Sequence, residues 1–184
     1  MTDSGTAPPV DGNTWRHMHF LDAMIVMAAI AVGLALARVA FSGCYPRRPI
    51  PAGFQRFYAI ECGHAAAFPC VASLTIAFPL LRVRRPRPPL ARVMRQPGII
   101  ACCTSVVQLG AGGVAVASSV GGTSLSNFTF VLSPIIGLSV AGAWAVLWLN
   151  GWWRPEPGWV DAMGRALGAC WIIMPLVLFS AFLL

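Results

Sequence analysis

From Gln96 to Trp153 the chain runs for 58 residues without a single formal charge. A soluble domain carries a charged side chain at roughly every fourth position, and a 184-residue chain cannot build a core large enough to hide a run of this length from water. A bilayer accommodates it. Hydrocarbon about 30 Å thick is crossed by about 20 apolar residues at about 1.5 Å each, and the run holds two such lengths. Composition points the same way: 57% of residues are hydrophobic and 10% charged, against about 45–50% and about 25% in soluble domains. Soluble, disordered, collagen-like and disulfide-scaffold classes are excluded. The expected fold is an all-α polytopic integral membrane protein, a bundle of about five transmembrane helices.

Residues 1–14 are small, polar and proline-containing, with nothing to bury, and read as a disordered N-terminal tail ahead of a transmembrane domain over 15–184. Apolar segments predict spans at about 20–41, 56–81, 98–119, 128–150 and 160–184. Between the second and third lies an arginine- and proline-rich loop, 82–97, whose Pro86, Pro88, Pro89 and Pro97 stop a helix. Gly121-Gly122-Thr123-Ser124 marks the turn that divides the uncharged run. No internal repeat of the transporter type is visible.

All 13 basic residues are arginine. Their clustering in short loops reads as positive-inside bias, not as a nucleic-acid surface. With the N-terminus inside, nine arginines fall on the inner side and four (Arg38, Arg47, Arg48, Arg56) on the outer. The expected placement is therefore a bacterial cytoplasmic membrane, N-terminus inside and C-terminus outside. The expected partners are lipid and other membrane-protein subunits, without nucleic acid. The six cysteines include no C-x-x-C pair, and five lie in apolar segments, where they read as small buried hydrophobes. Phe41-Ser42-Gly43-Cys44 resembles a lipoprotein cleavage box, but the preceding apolar stretch exceeds a signal h-region.

Ionisable residues within a span are functional candidates by default. Segment two offers Glu61 and His64, three apart and so on one helix face, continued by Phe68, Ala72 and Thr75. A di-iron centre needs a second E-x-x-H and further carboxylates, which the spans lack, so no metal and no cofactor is expected. A proton relay is one reading of the pair. An ion pair between Glu61 and Arg38, at matched depth on antiparallel neighbours, is the structural alternative. His17 and His19, two apart at the membrane boundary, diverge too far on a helix to chelate. Gln108, the strongly polar residue of segment three, is expected to bond a neighbouring helix or to line a permeation path.

Small residues mark helix contacts. They occur at Gly110-Ala111-Gly112-Gly113, at Gly164-x-x-x-Gly168, and along segment four at Ser133, Gly137, Ala141 and Ala145. The last four form an expected packing face directed at segment three, with Val140 on the lipid side. Trp144, Trp148 and Trp152 fall on nearly the same stripe, as interface anchors, packing residues or the lining of a lipid, quinone or pigment cleft. No catalytic motif occurs: there is no H-E-x-x-H, no G-x-S-x-G and no P-loop. The functions in contention are a non-catalytic accessory or assembly subunit that acts through helix packing, a small transporter or channel using Glu61, His64 and Gln108, and a membrane-embedded enzyme or lipid- or quinone-binding protein.

Overall fold

A computed structural model describes residues 20–43, 51, 54–83, 93–118, 125–156 and 158–183. The tail 1–14, His17, His19, Arg47, Arg48, Cys44, most of the arginine–proline loop and the turn at 121–124 lie outside the described residues. Five long helices correspond to the five apolar segments: α1 (Phe20–Gly43), α2 (Gln55–Val83), α3 (Pro97–Ser118), α4 (Leu125–Leu149) and α5 (Trp159–Leu183). Each is long and apolar enough to cross a membrane. The protein is a multi-pass, all-helical membrane protein.

Helix α2 is the hub, in contact with all four others, while α3, α4 and α5 pack on it and on one another. Helix α1 stands aside and packs chiefly on α2. Its buried positions, Asp22, Ala29, Gly33, Ala37 and Ala40, recur at helical spacing and make a single stripe. Small residues on that stripe allow a close approach: a β-carbon on Gly33 would come within 2.9 Å of the Cys70 α-carbon. Ile25 and Val26 flank that stripe against the core, while Leu34, Leu36 and Val39 face outward, as they do in a helix solvated by lipid.

The core has two layers. One joins Phe68, Ala101, Leu132, Ile136, Val140 and Trp171; the other joins Phe78, Leu81, Cys102, Val160 and Leu167. Lipid tails are as apolar as these side chains, so van der Waals fit and interhelical hydrogen bonds, not water exclusion, hold the layers together. Trp171, with no exposed surface, packs edge-on against Phe68 at 5.2 Å between ring centres, and its Nε1–H donates to Thr75 Oγ1 at 3.0 Å. The Thr75 hydroxyl in turn donates to the Val71 carbonyl, so the chain of polar groups is closed within α2.

Four prolines lie inside helices: Pro69 and Pro79 in α2, Pro134 in α4 and Pro175 in α5. Each lacks an N–H and so deprives the carbonyl four residues earlier of its helical donor. Spanning helices tolerate this when neighbours approach the freed group. At Pro175 the freed carbonyl is that of Trp171, and Gly137 of α4 is packed directly against it.

Candidate functional site

Besides the Trp171–Thr75 bond, polar groups of different helices meet at three further places among the described residues. The first is where the starts of α3 and α5 meet the end of α4. Asp161, in the first turn of α5, is 3% exposed. Its Oδ1 accepts the Gly98 N–H at 3.0 Å, its Oδ2 accepts the Glu156 N–H at 3.2 Å, and Arg165 Nε pairs with the same oxygen at 3.4 Å. The carboxylate thereby caps the start of α3 from a different helix, where the unpaired N–H groups and helix dipole favour negative charge. Glycines permit the approach. A β-carbon on Gly164 would lie 2.7 Å from the Gly98 carbonyl oxygen, and one on Gly98 would overlap the Asp161 backbone. The Trp144 Nε1–H donates to the Pro97 carbonyl at 3.0 Å, and the Arg154 N–H to that of Arg95 at 3.2 Å. This junction, with Asp161 at its centre, was not among the expected sites. Its sequence signal is an acidic residue in a first helical turn, three residues ahead of the Gly164-x-x-x-Gly168 pair.

The second place is the α3–α4 contact. Gln108 Nε2 donates to Ser139 Oγ at 3.2 Å, an interhelical bond of the kind expected of it. The third is the α2–α4 contact, where the His64 Nε2–H donates to the Thr129 carbonyl at 3.4 Å and the ring lies against Phe68. Thr129 and Ser139 are ten residues apart on one helix, roughly 15 Å along its axis. His64 and Gln108 are therefore held at different depths and do not share a site.

Several expectations are corrected. Arg38 and Glu61 form no ion pair, because Arg38 follows Ala37 of the buried α1 stripe and so projects about 100° away from α2. The face Phe68, Ala72, Thr75 below Glu61 and His64 is core packing, with Phe68 and Thr75 buried. In α4 a four-residue repeat drifts by about 40° per step. Ser133 and Gly137 are buried, Ala141 is half-buried, and Ala145 has rotated to the outside. Gly137 faces α5 and not α3; Gly112 of α3 supplies the contact with α4, against Leu132 and Phe128. Val140, expected on the lipid side, has no exposed surface, since the buried positions of α4 alternate steps of three and four through Ser133, Ile136 and Val140. The tryptophans separate in the same way. Trp144 turns inward against Gly168, Trp148 is 71% exposed, and Trp152 lies beyond the end of α4. Of the cysteines, Cys62 and Cys102 are buried, whereas Cys103 and Cys170 face outward.

Comparison with known proteins finds no matching family model, no matching curated protein and no matching solved structure.

Proposed function

We propose that this membrane protein is a non-catalytic accessory or assembly subunit that acts by packing its helices against a second membrane protein. The observation that carries the reading is the outward face of α3. Gly110 and Gly113 are exposed, and a β-carbon on either would meet nothing within 4 Å. Gly98, Gly112, Gly137, Gly164 and Gly168 are each used for close contact inside the bundle, whereas these two are not. Lipid chains gain nothing from meeting a glycine, but a neighbouring helix gains close backbone contact. The transporter reading needs Glu61, His64 and Gln108 to act together, and the roughly 15 Å between the α4 partners of His64 and Gln108 weighs against it.

A photo-activated cross-linker at Gly113 in native membranes tests the proposal, with Leu176 of α5 as the lipid-facing comparison. A discrete protein adduct is expected at Gly113 and not at Leu176. Matching adduct patterns at the two sites would overturn the reading. The proposed orientation, N-terminus inside and C-terminus outside in a bacterial cytoplasmic membrane, rests on the nine-to-four arginine count. Cysteine reporters at positions 90 and 124 test it: outside labelling of 124 alone is expected, and outside labelling of 90 alone reverses the topology.

A further inference from the structure

Helices α2 and α5 part along their outer faces to leave a groove of about 430 Å³, lined among others by Gly63, His64, Ala67, Val71, Ile173 and Val177. That volume is within the range of sites that hold small molecules. Apart from His64 and the Cys170 thiol, its lining side chains are apolar. Gly63 leaves open space beside the imidazole, since a β-carbon there would meet nothing within 4 Å.

His64 is only 8% exposed, and one of its two ring nitrogens is already committed. A carbonyl can only accept, so the contact with Thr129 requires the proton on Nε2. A neutral ring that donates from Nε2 keeps a lone pair on Nδ1, and Nδ1 therefore acts as an acceptor. No described residue meets Nδ1, and it is not among the nitrogens sealed from the surface. An acceptor that opens on an apolar groove without a donor is costly.

The depth of the site restricts what supplies that donor. His64 lies nine residues inside the start of the 29-residue α2, which, with the helix centred on about 30 Å of hydrocarbon, puts it roughly 7 Å below the interface. Acyl chains reach this depth but carry no donor. Phospholipid headgroups carry donors but stay at the interface. We propose that the groove binds a membrane-soluble lipid whose apolar chain ends in a hydroxyl group, a prenol, with that hydroxyl donating to His64 Nδ1. Binding would fill the groove and satisfy the imidazole in one step, without proton transfer or covalent chemistry.

The test uses the full chain in phosphatidylcholine nanodiscs and two diazirine photoprobes, a farnesol analogue and its methyl ether, which has the same chain and no donor. The alcohol is expected to label groove residues of α2 and α5 about tenfold more strongly than the ether, the factor one net hydrogen bond supplies. His64→Phe should bring the two probes to the same level. Gly63→Leu, which fills the groove where nothing is displaced, should reduce labelling by both and leave thermal unfolding unchanged. Excess unlabelled farnesol and excess decylubiquinol are the competitors. Suppression by farnesol is expected; suppression by neither competitor, or by decylubiquinol alone, overturns the proposal. Equal labelling of the native protein by alcohol and ether would also overturn it, as would undiminished labelling of Gly63→Leu. These last two outcomes hold even if His64→Phe fails to fold.

Discussion

Gly137 lies so close to Trp171 that a β-carbon at position 137 would stand 2.6 Å from the Trp171 carbonyl oxygen. That carbonyl is the one deprived of its helical donor by Pro175, whose ring is the next nearest group, at 3.2 Å. In glycine a hydrogen occupies the direction of the missing side chain, so a Cα–H faces an oxygen that the helix leaves free, a weak but favourable contact. Proline in one helix and glycine in the other thus answer each other.

Gly137→Leu is expected to prevent the α4–α5 contact, because the obstructing atom is backbone and cannot swing aside. A loss of folded protein, or a fall in stability of about 1–3 kcal/mol or more, follows from overpacking a filled site. Gly142→Leu is the matched control on the same helix, since its position is open. Detergent-solubilised melting of the two variants is the measurement. Equal melting temperatures would mean that the helices adjust around position 137 at no cost.

Asp161 supports a second prediction. Asp161→Ala removes the acceptor of the Gly98 N–H at a junction where Gly98 is itself buried. The expected cost is about 1–3 kcal/mol, the penalty for a buried donor left unpaired. Asp161→Asn retains a carbonyl oxygen for Gly98 and should lose less, although it gives up the ion pair with Arg165. Unfolding in graded SDS ranks the three proteins. The order native, Asn, Ala is expected, and Asn falling to the level of Ala would place the main contribution in the charge and not in the cap.

The five helices were legible because hydrophobic length alone demands them, and Gln108 was legible because a lone amide in an apolar span has few options other than a neighbouring helix. Which neighbour each face meets was not. Gly137 illustrates why: the turn before α4 joins it to α3 in sequence, but chain connection does not decide the rotation of α4 about its axis, and α4 touches α5 as extensively. Val140 was misplaced for a related reason. A strict four-residue repeat does not describe a buried face that alternates threes and fours, and one step of three separates Gly137 from Val140. Arg38 and Glu61 are opposite in charge, but the contact of Gly33 with Cys70 sets Arg38 nearer the level of Ala65 than of Glu61, and the position of Ala37 puts Arg38 off the stripe that faces α2. Asp161 was hidden by proximity to Arg165, which makes it resemble an ordinary solvated i,i+4 pair. Only the fold shows that the same carboxylate reaches the start of α3.

Gln108 and Ser139 join α3 to α4 at a half-buried contact, so the bond is expected to be modest. Gln108→Leu should lower stability by about 0.5–2 kcal/mol, as should Ser139→Ala, and the double variant should cost less than the sum. Thermal unfolding of the full cycle reads this coupling. Strict additivity would show that the two side chains act separately.

Ser133 supplies the sharpest contrast with its neighbours. It has no exposed surface, and its hydroxyl has no hydrogen-bond partner, whereas Ser105, equally buried, donates to the Ala101 carbonyl at 2.8 Å. The usual outlet for a serine in a helix is the carbonyl four residues earlier, which here is that of Thr129 and already receives His64. A buried hydroxyl without a partner carries a desolvation cost that a methyl group does not. Ser133→Ala is therefore expected to leave stability unchanged or to raise it by about 1 kcal/mol, against a small loss for Ser105→Ala. The comparison needs only the two melting curves in one detergent. A clear loss at Ser133 would mean that its hydroxyl finds a donor or acceptor in the membrane, and the α2–α4 contact around His64 would then be the first place to look for it.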